Sequence, residues 1–185
     1  MAAPEIGACV SAGVAGLKKN FVLHAVSCLV IAVIGGFSGG ILTGPLMVGY
    51  MRMIKSEDEG GTPAIGDIFK GFDDFVPALL AVLLASIAVS IGYMLCIIPG
   101  IAIGAMIPVA AYLVAVGGEK DGVNAVKRSW EIVKANLVPS ALCTLVLSIV
   151  GSLGSILCGI GIILTLPIAM IGMYHMSKQM VGSGT

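Results

Sequence analysis

Three long stretches of this chain carry no Asp, Glu, Lys or Arg: residues 20–51, 75–118 and 135–177, which are 32, 44 and 43 residues long. All twenty charged side chains fall outside them, within 5–19, 52–74 and 119–134 and at Lys178. A single helix of 44 residues would be about 66 Å long, about twice a hydrocarbon core. Each window therefore divides better into two spans joined by a tight turn. Breakers stand near each centre: Gly35-Gly36-Phe37-Ser38-Gly39-Gly40, then Pro99-Gly100, then the run from Gly151 to Gly161. The expectation is an all-α polytopic membrane protein in one membrane domain. Six transmembrane helices form three parallel hairpins, at about 20–55, 75–118 and 135–178.

Composition narrows the function classes. Hydrophobic residues make up 58% and charged residues 11%, against about 25% charged in a soluble domain. Ten Lys and Arg balance ten Asp and Glu, so no net field gathers polyanions. A soluble enzyme domain, a disordered tail and a nucleic-acid binder are all disfavoured.

An even number of spans per window returns the chain to the same face each time. All charged stretches then share one side, which the positive-inside rule makes cytoplasmic, with both termini there. The expected location is the inner membrane of a cell. The first window leaves only about 14 residues per span, short of the roughly 20 a crossing needs. It has to recruit flanking residues, thin the bilayer or dip in without crossing. Lys18-Lys19 before an apolar run imitates a signal peptide, but no small-x-small cleavage site follows cleanly.

The chain also repeats itself. Residues 75–98 laid over 137–160 at a constant offset of 62 give eleven identities in 24 positions, among them Pro77/Pro139, Ser86/Ser148, Ser90/Ser152, Gly92/Gly154 and Cys96/Cys158. Phe21/Phe75, Val22/Val76 and Leu29/Leu83 join the first hairpin more faintly. A repeat of two spans keeps its direction, so its copies are related by a pseudo-axis along the membrane normal.

An amphipathic stretch leads each hairpin, at about 5–19, 62–74 and 121–134. In the first, Ile6, Val10, Val14, Leu17 and Phe21 recur at helical steps. In the second, Thr62-Pro63 reads as N-cap and first helical residue, ahead of Ile65, Ile68, Phe69, Phe72 and Phe75. In the third, Val126, Trp130, Val133 and Leu137 line one side, while Lys127, Arg128, Glu131 and Lys134 take the rest. Such helices lie in the headgroup region of the cytoplasmic leaflet. Trp130, Phe69, Phe72 and Phe75 are the expected anchors, and Lys127, Arg128 and Lys134 are placed to meet anionic lipid heads. The alternative is a cytoplasmic helix packed on the protein itself.

Gly44-Pro45-Leu46 with Gly49, then Phe69, Gly71-Phe72 and Phe75, then Ile98-Pro99-Gly100-Ile101, then Ala125, Arg128-Ser129-Trp130 and Lys134 follow in order. In these motifs the chain, from about residue 17 to 180, resembles the bacterial and archaeal six-span membrane proteins of unknown function. Those are similar to the membrane domain attached to some glycerophosphodiester phosphodiesterases. The resemblance implies a fold and a location. It brings no catalytic residues, because the phosphodiesterase chemistry belongs to a separate soluble domain absent here.

Candidate chemistry is sparse. Gly36, Gly40 and Gly44 recur every four residues, as do Gly100/Gly104, Ser86/Ser90 and Ser148/Ser152. Small faces let backbones approach, with serine hydroxyls bonding across. The favoured reading is close packing of the third and fifth spans about the pseudo-axis. The other is a weakly polar path for water or a small uncharged solute. Pro45, Pro108 and Pro167 are expected to kink the returning helices. With no carboxylate or lysine inside a window, His24 and His175 read as interfacial side chains rather than proton relays. Met170, Met173, Met176 and Met180 beside His175, with Met47 and Met51, suggest soft-metal ligands such as Cu(I), although Met is also an ordinary filler of apolar helices. The five Cys form no CxxC or metal spacing. Cys96 and Cys158 are open to a disulfide across the pseudo-axis or to small apolar packing, with packing favoured.

No metal site, no cofactor and no enzymatic activity are expected; no Walker loop, nucleophile elbow or HExxH is present. The functional expectation is a non-catalytic scaffold that organises the bilayer, or an accessory subunit of a larger membrane complex. Its partners would be membrane lipids and either copies of itself or other membrane subunits, with no nucleic acid. A solute channel is the first alternative and a copper transporter the second.

Overall fold

The computed structural model describes residues 4–95, 97–156 and 160–182, and among them the chain is helix and turn with no strand. In order come α1 (Ile6–Lys19), α2 (Phe21–Phe37), α3 (Thr43–Asp58), a 3-10 segment (Ile65–Asp74), α4 (Phe75–Leu95), α5 (Ile97–Gly104), α6 (Met106–Ala115), α7 (Gly122–Ala135), α8 (Leu137–Ile156) and α9 (Ile160–Gly182).

Two asparagines set sharp corners. At Asn20 (φ −140°, ψ 65°) the backbone leaves the helical region, and α2 departs from α1 at 106°. At Asn136 (φ −131°, ψ 43°) α8 departs from α7 at 103°. Asparagine is a weak helix former and so tolerates such breaks, although at Asn20 the side chain makes no cap bond to the helix that follows. The 3-10 segment instead runs straight into α4, giving one helical run, Ile65–Met94, of 30 residues with mean hydropathy 2.4 over its most apolar part. By length and composition this is the one helix among the described residues able to cross a bilayer unaided, and each bent pair adds one more if counted as a single span.

Glycine and proline act somewhat differently from expectation. Residues 38–42 form the turn between α2 and α3, with Gly39 (φ 61°) and Gly40 (φ 88°) in the left-handed region. Pro99-Gly100 is not a turn but lies in α5, with Pro99 in its first turn. Pro45 and Pro108 likewise occupy the third position of α3 and α6. A proline there gives up an N–H that had no helical partner, so it starts a helix rather than kinking one. Pro167 alone of the three sits inside a helix, α9. Thr62-Pro63 precedes helical structure, which begins at Ile65 after the Ala64 N–H donates to the Asp67 carboxylate at 2.9 Å. In the first window, α2 and α3 have 17 and 16 residues, and α3 recruits 52–58 beyond the charge-free stretch.

The centre is also different from expectation. Every residue of 44–51 in α3 is buried, as is every residue of 108–114 in α6, joined by Tyr174, Met176 and Met180 of α9. The third and fifth spans, α4 and α8, were expected to meet on an axis. They flank this core, each with one face in it and the other outside, where Val76, Leu83, Ile87 and Ile91 of α4 and Val138, Leu145, Ile149 and Leu153 of α8 are exposed. These four pairs stand 62 apart. The buried mates Ala78/Ser140, Ala81/Cys143 and Ala85/Leu147 keep the same register. The physical reason is that the small face of α4 packs on α3 and α6 while α8 packs on α9 and α5, so the two copies do not face each other.

The lead-in helices close the assembly. The 3-10 segment packs on α3, α7 on α6 and α4, and α1 on α9. Glycines permit each approach. A Cβ at Gly49 would run into the Ile68 carbonyl, one at Gly71 into that of Pro45, and one at Gly13 into that of Ile168. A Cβ at Gly122 would stand 2.6 Å from the Pro77 oxygen.

Candidate functional site

The first turn of α2 and the last turn of α3 bring together the buried imidazole and the buried carboxylate found among the described residues. His24 was expected at a membrane interface, but its side chain has 0% exposure. Its Nε2 lies 2.8 Å from Glu57 Oε2, and its Nδ1 lies 3.1 Å from the Tyr50 hydroxyl. Glu57 is 5% exposed, so the bundle does contain the buried carboxylate that counting charges within windows had excluded. The Asn20 amide donates to Glu57 Oε1. Lys19 Nζ stands 3.9 Å from that oxygen and donates to the Glu57 main-chain carbonyl at 3.1 Å. A lysine on the last carbonyls of α3 also complements the negative end of that helix.

Asp58 continues the cluster toward α9, accepting from Lys178 at 2.7 Å and standing 3.9 Å from His175 Nε2. The Tyr174 ring packs against Tyr112 at 5.3 Å and edge-on to His175 at 5.2 Å, with Lys178 Nζ 5.8 Å from its centroid. A cavity of about 260 Å³ opens among α1, α2, α3 and α9. Lys19, His24, Glu57, Asp58 and His175 line it, with Ala12, Ala15 and Gly16 of α1 on one side. Two imidazoles, two carboxylates and an ammonium on one small cavity form a set that can take up and release protons. Among the described residues, no three His, Cys, Asp or Glu side chains are grouped to hold a metal ion.

The sequence-derived candidates lie elsewhere. Trp130 and Phe69 are exposed, while Phe72 and Phe75 are half-buried, and the three phenylalanines stack in series at 6.2 and 6.0 Å. Lys127 and Lys134 are exposed on α7, and exposed Arg128 pairs with Glu119. Gly36 and Gly40 have nothing within reach of an added Cβ, whereas one at Gly44 would stand 2.7 Å from the Ala78 oxygen. Gly100 faces the Tyr93 ring within its own helix pair, and Gly104 makes ordinary contact with Thr144 of α8. Ser90 and Ser148 are both exposed, and Ser90 donates back to the Ser86 carbonyl of its own helix at 2.8 Å. Ser152 donates likewise to the Ser148 carbonyl at 2.7 Å. These hydroxyls bond along their helices rather than across to a neighbour. The methionines have separate partners: Met170 takes the Cys28 thiol at 3.8 Å and Met176 the Thr144 hydroxyl at 3.6 Å, while Met47 and Met51 are in the core. Cys96 and Cys158 lie outside the described residues.

A signal for the His24–Glu57 pair was present. His24 lies 14 residues before the turn at 38–42, and Glu57 lies 15 after it. Folding α2 and α3 back about that turn brings the two to one level. Comparison with protein-family models, curated proteins and solved structures finds no match for this chain.

Proposed function

We propose that this chain is a six-crossing integral membrane protein of three consecutive hairpins that acts without catalysis, organising or bending the bilayer from its cytoplasmic leaflet. The observation that carries the reading is the pair of right-angle corners. At 106° and 103° they turn α1 and α7 across the ends of the apolar helices α2 and α8. A helix with Lys127, Lys134 and Trp130 exposed, lying across the end of a span, sits at headgroup level. Its volume enters one leaflet only, which spreads that leaflet relative to the other. The apolar belt of α2, α4 and α8 supports crossing, and the charge-free windows support a one-sided arrangement with both termini cytoplasmic. The exposure register shared by α4 and α8 supports an internal repeat, and with it the six-span family resemblance.

Anionic lipid heads are the proposed partners of Lys127, Arg128 and Lys134. Copies of this chain, or other membrane subunits, are the proposed protein partners of the apolar belt. The outward serines supply no converging path, so the geometry favours no second reading. Electron microscopy of proteoliposomes tests the proposal. The wild-type chain should narrow or tubulate vesicles containing anionic lipid, and the combined change of Trp130, Phe69, Phe72 and Phe75 to Ser should weaken that effect. Equal vesicle shapes with both proteins would remove the leaflet-wedging reading.

A further inference from the structure

We infer that His24 is a proton-binding site that competes with Lys19 for Glu57, so that the C-terminal end of α1 is tied to the bundle at neutral pH and loosened in acid. The consequence at the membrane rests on the proposal that α1 lies along the charged face; the competition itself rests on geometry alone.

A buried carboxylate needs a cation. Two reach Glu57: Lys19 from α1, 3.9 Å from Oε1, and the imidazole of His24 from α2, 2.8 Å from Oε2. While the ring is neutral, Nε2–H donates to Glu57, Nδ1 accepts from the Tyr50 hydroxyl, and Lys19 supplies the full positive charge. When Nδ1 takes a proton, the Tyr50 oxygen becomes the acceptor and its O–H turns toward the neighbouring sulfur of Cys28. The Cys28 thiol in turn donates to Met170. Every donor has an acceptor in both states, so proton uptake orphans no buried group. The chain ends on a thioether, which has no proton to pass on. His24 therefore stores a proton drawn from the cavity and returns it there, without carrying it through the bundle.

The protonated ring completes the ion pair with Glu57, so the charge attraction holding Lys19 weakens and its bond to the Glu57 main-chain carbonyl is what remains. Its side chain is 58% exposed, so water competes for that bond. Around the pair, Asp58 of α3 is engaged by Lys178 and His175 of α9. The 3-10 segment, which also touches α2, has Asp67 paired with Lys70 and Asp74 with Arg52. The polar groups lining the cavity thus already have partners within the chain, and the cavity offers an incoming solute no ready ligand set. At its other end α1 keeps the Gly13 contact with α9 and the bond from the Glu5 N–H to Gln179 at 2.9 Å. The response is a loosening of the last turn of α1.

The chain has two histidines, so isotope-labelled histidine gives two sets of NMR signals, and His175→Gln identifies that of His24. The full-length protein in lipid nanodiscs is titrated between about pH 8 and about pH 5, and amide hydrogen exchange of α1 is referenced to α7 at each pH. The expected result is titration of His24 with a parallel two- to fivefold loss of protection at the end of α1, roughly the strength of one partly exposed ion pair. Lys19→Gln, an exposed position that leaves the fold intact, should give a loosened α1 end with no pH response. Glu57→Gln, where it folds, should behave the same way. A His24 signal that does not move across this range, or an α1 response that survives Lys19→Gln, overturns the inference. Vesicle shape plays no part in these readouts, so the proton site and the scaffold reading fail separately.

Discussion

The two corners of this molecule make nearly the same bend from unlike surroundings. At Asn20 the side-chain amide donates to a buried carboxylate, which also holds His24 and faces Lys19. At Asn136 the corresponding amide nitrogen is buried without a hydrogen-bond partner. The angles differ by only a few degrees, 106° against 103°. The bend therefore does not come from the Glu57 network. It comes from the local chain, where an amphipathic pattern ends at an asparagine and an apolar helix starts at Phe21 or Leu137. Asp74 stands before Phe75 in the same way, but its carboxylate is held by Arg52 and the helical run passes straight through. The network at Asn20 adds a tether to a corner that would form without it.

The largest expected effect comes from removing the tether's anchor. Glu57→Ala leaves Asn20 and a fully buried His24 facing an empty site and should lower stability by about 3 kcal/mol, the usual result of breaking a buried charged pair from one side. Asp58→Ala, next in sequence, disturbs partly exposed partners and should lower it by less than about 1 kcal/mol. Denaturant titration of the detergent-solubilised protein measures both. Equal losses would mean that the Asn20 corner is no better organised than the surface around it.

A matched pair of substitutions sharpens the comparison at smaller scale. Asn20→Leu deletes a donor to a buried carboxylate and should destabilise by about 1.5 kcal/mol. Asn136→Leu deletes a donor that has no partner and should be neutral or stabilising by up to about 1 kcal/mol. The opposite signs are the test, read from the unfolding midpoints of the two variants. If both destabilise alike, the amides serve the bends themselves and the tether adds nothing.

The corners explain why some features were legible in the sequence and others were not. Charge-free windows are a property of the one-dimensional chain, so helices on either side of the turn at 38–42, and lead-in segments ahead of α2 and α8, could be read directly. Outward faces were legible only through the repeat, since exposure follows Val76/Val138 and Ile87/Ile149 in register. The inner layer was not. Small residues on α4 and α8 read as a seam between those helices, whereas Ala78 closes on Gly44 of α3, a partner that spacing within one helix cannot name. Glu57 escaped because it stands outside the charge-free windows, where the sequence carries no sign of burial. Folding about the turn carries it back over His24, and that depth depends on two helices at once.

The smallest effect belongs to the third lead-in, which has no corner. Asp67 starts the 3-10 segment on the charged side of α4. The ammonium of Lys70, 2.7 Å away, and the Ala64 N–H hold its carboxyl below the usual range. A carboxylate whose value is lowered by folding stabilises above its unfolded range and stops doing so as pH falls through the lowered value. Because Asp67 is partly exposed and its partner Lys70 lies in water, solvent screening limits the contribution to a few tenths of a kcal/mol at about neutral pH. Asp67→Asn should therefore fray the segment by that much at neutral pH and by nothing once acid has protonated the wild-type side chain. Amide exchange at the start of the segment reads this, with α4 as the unchanged reference. A loss of protection that spread into α4 would mean that the straight run from Ile65 to Met94 depends on its first turn, as the two bent leads do not.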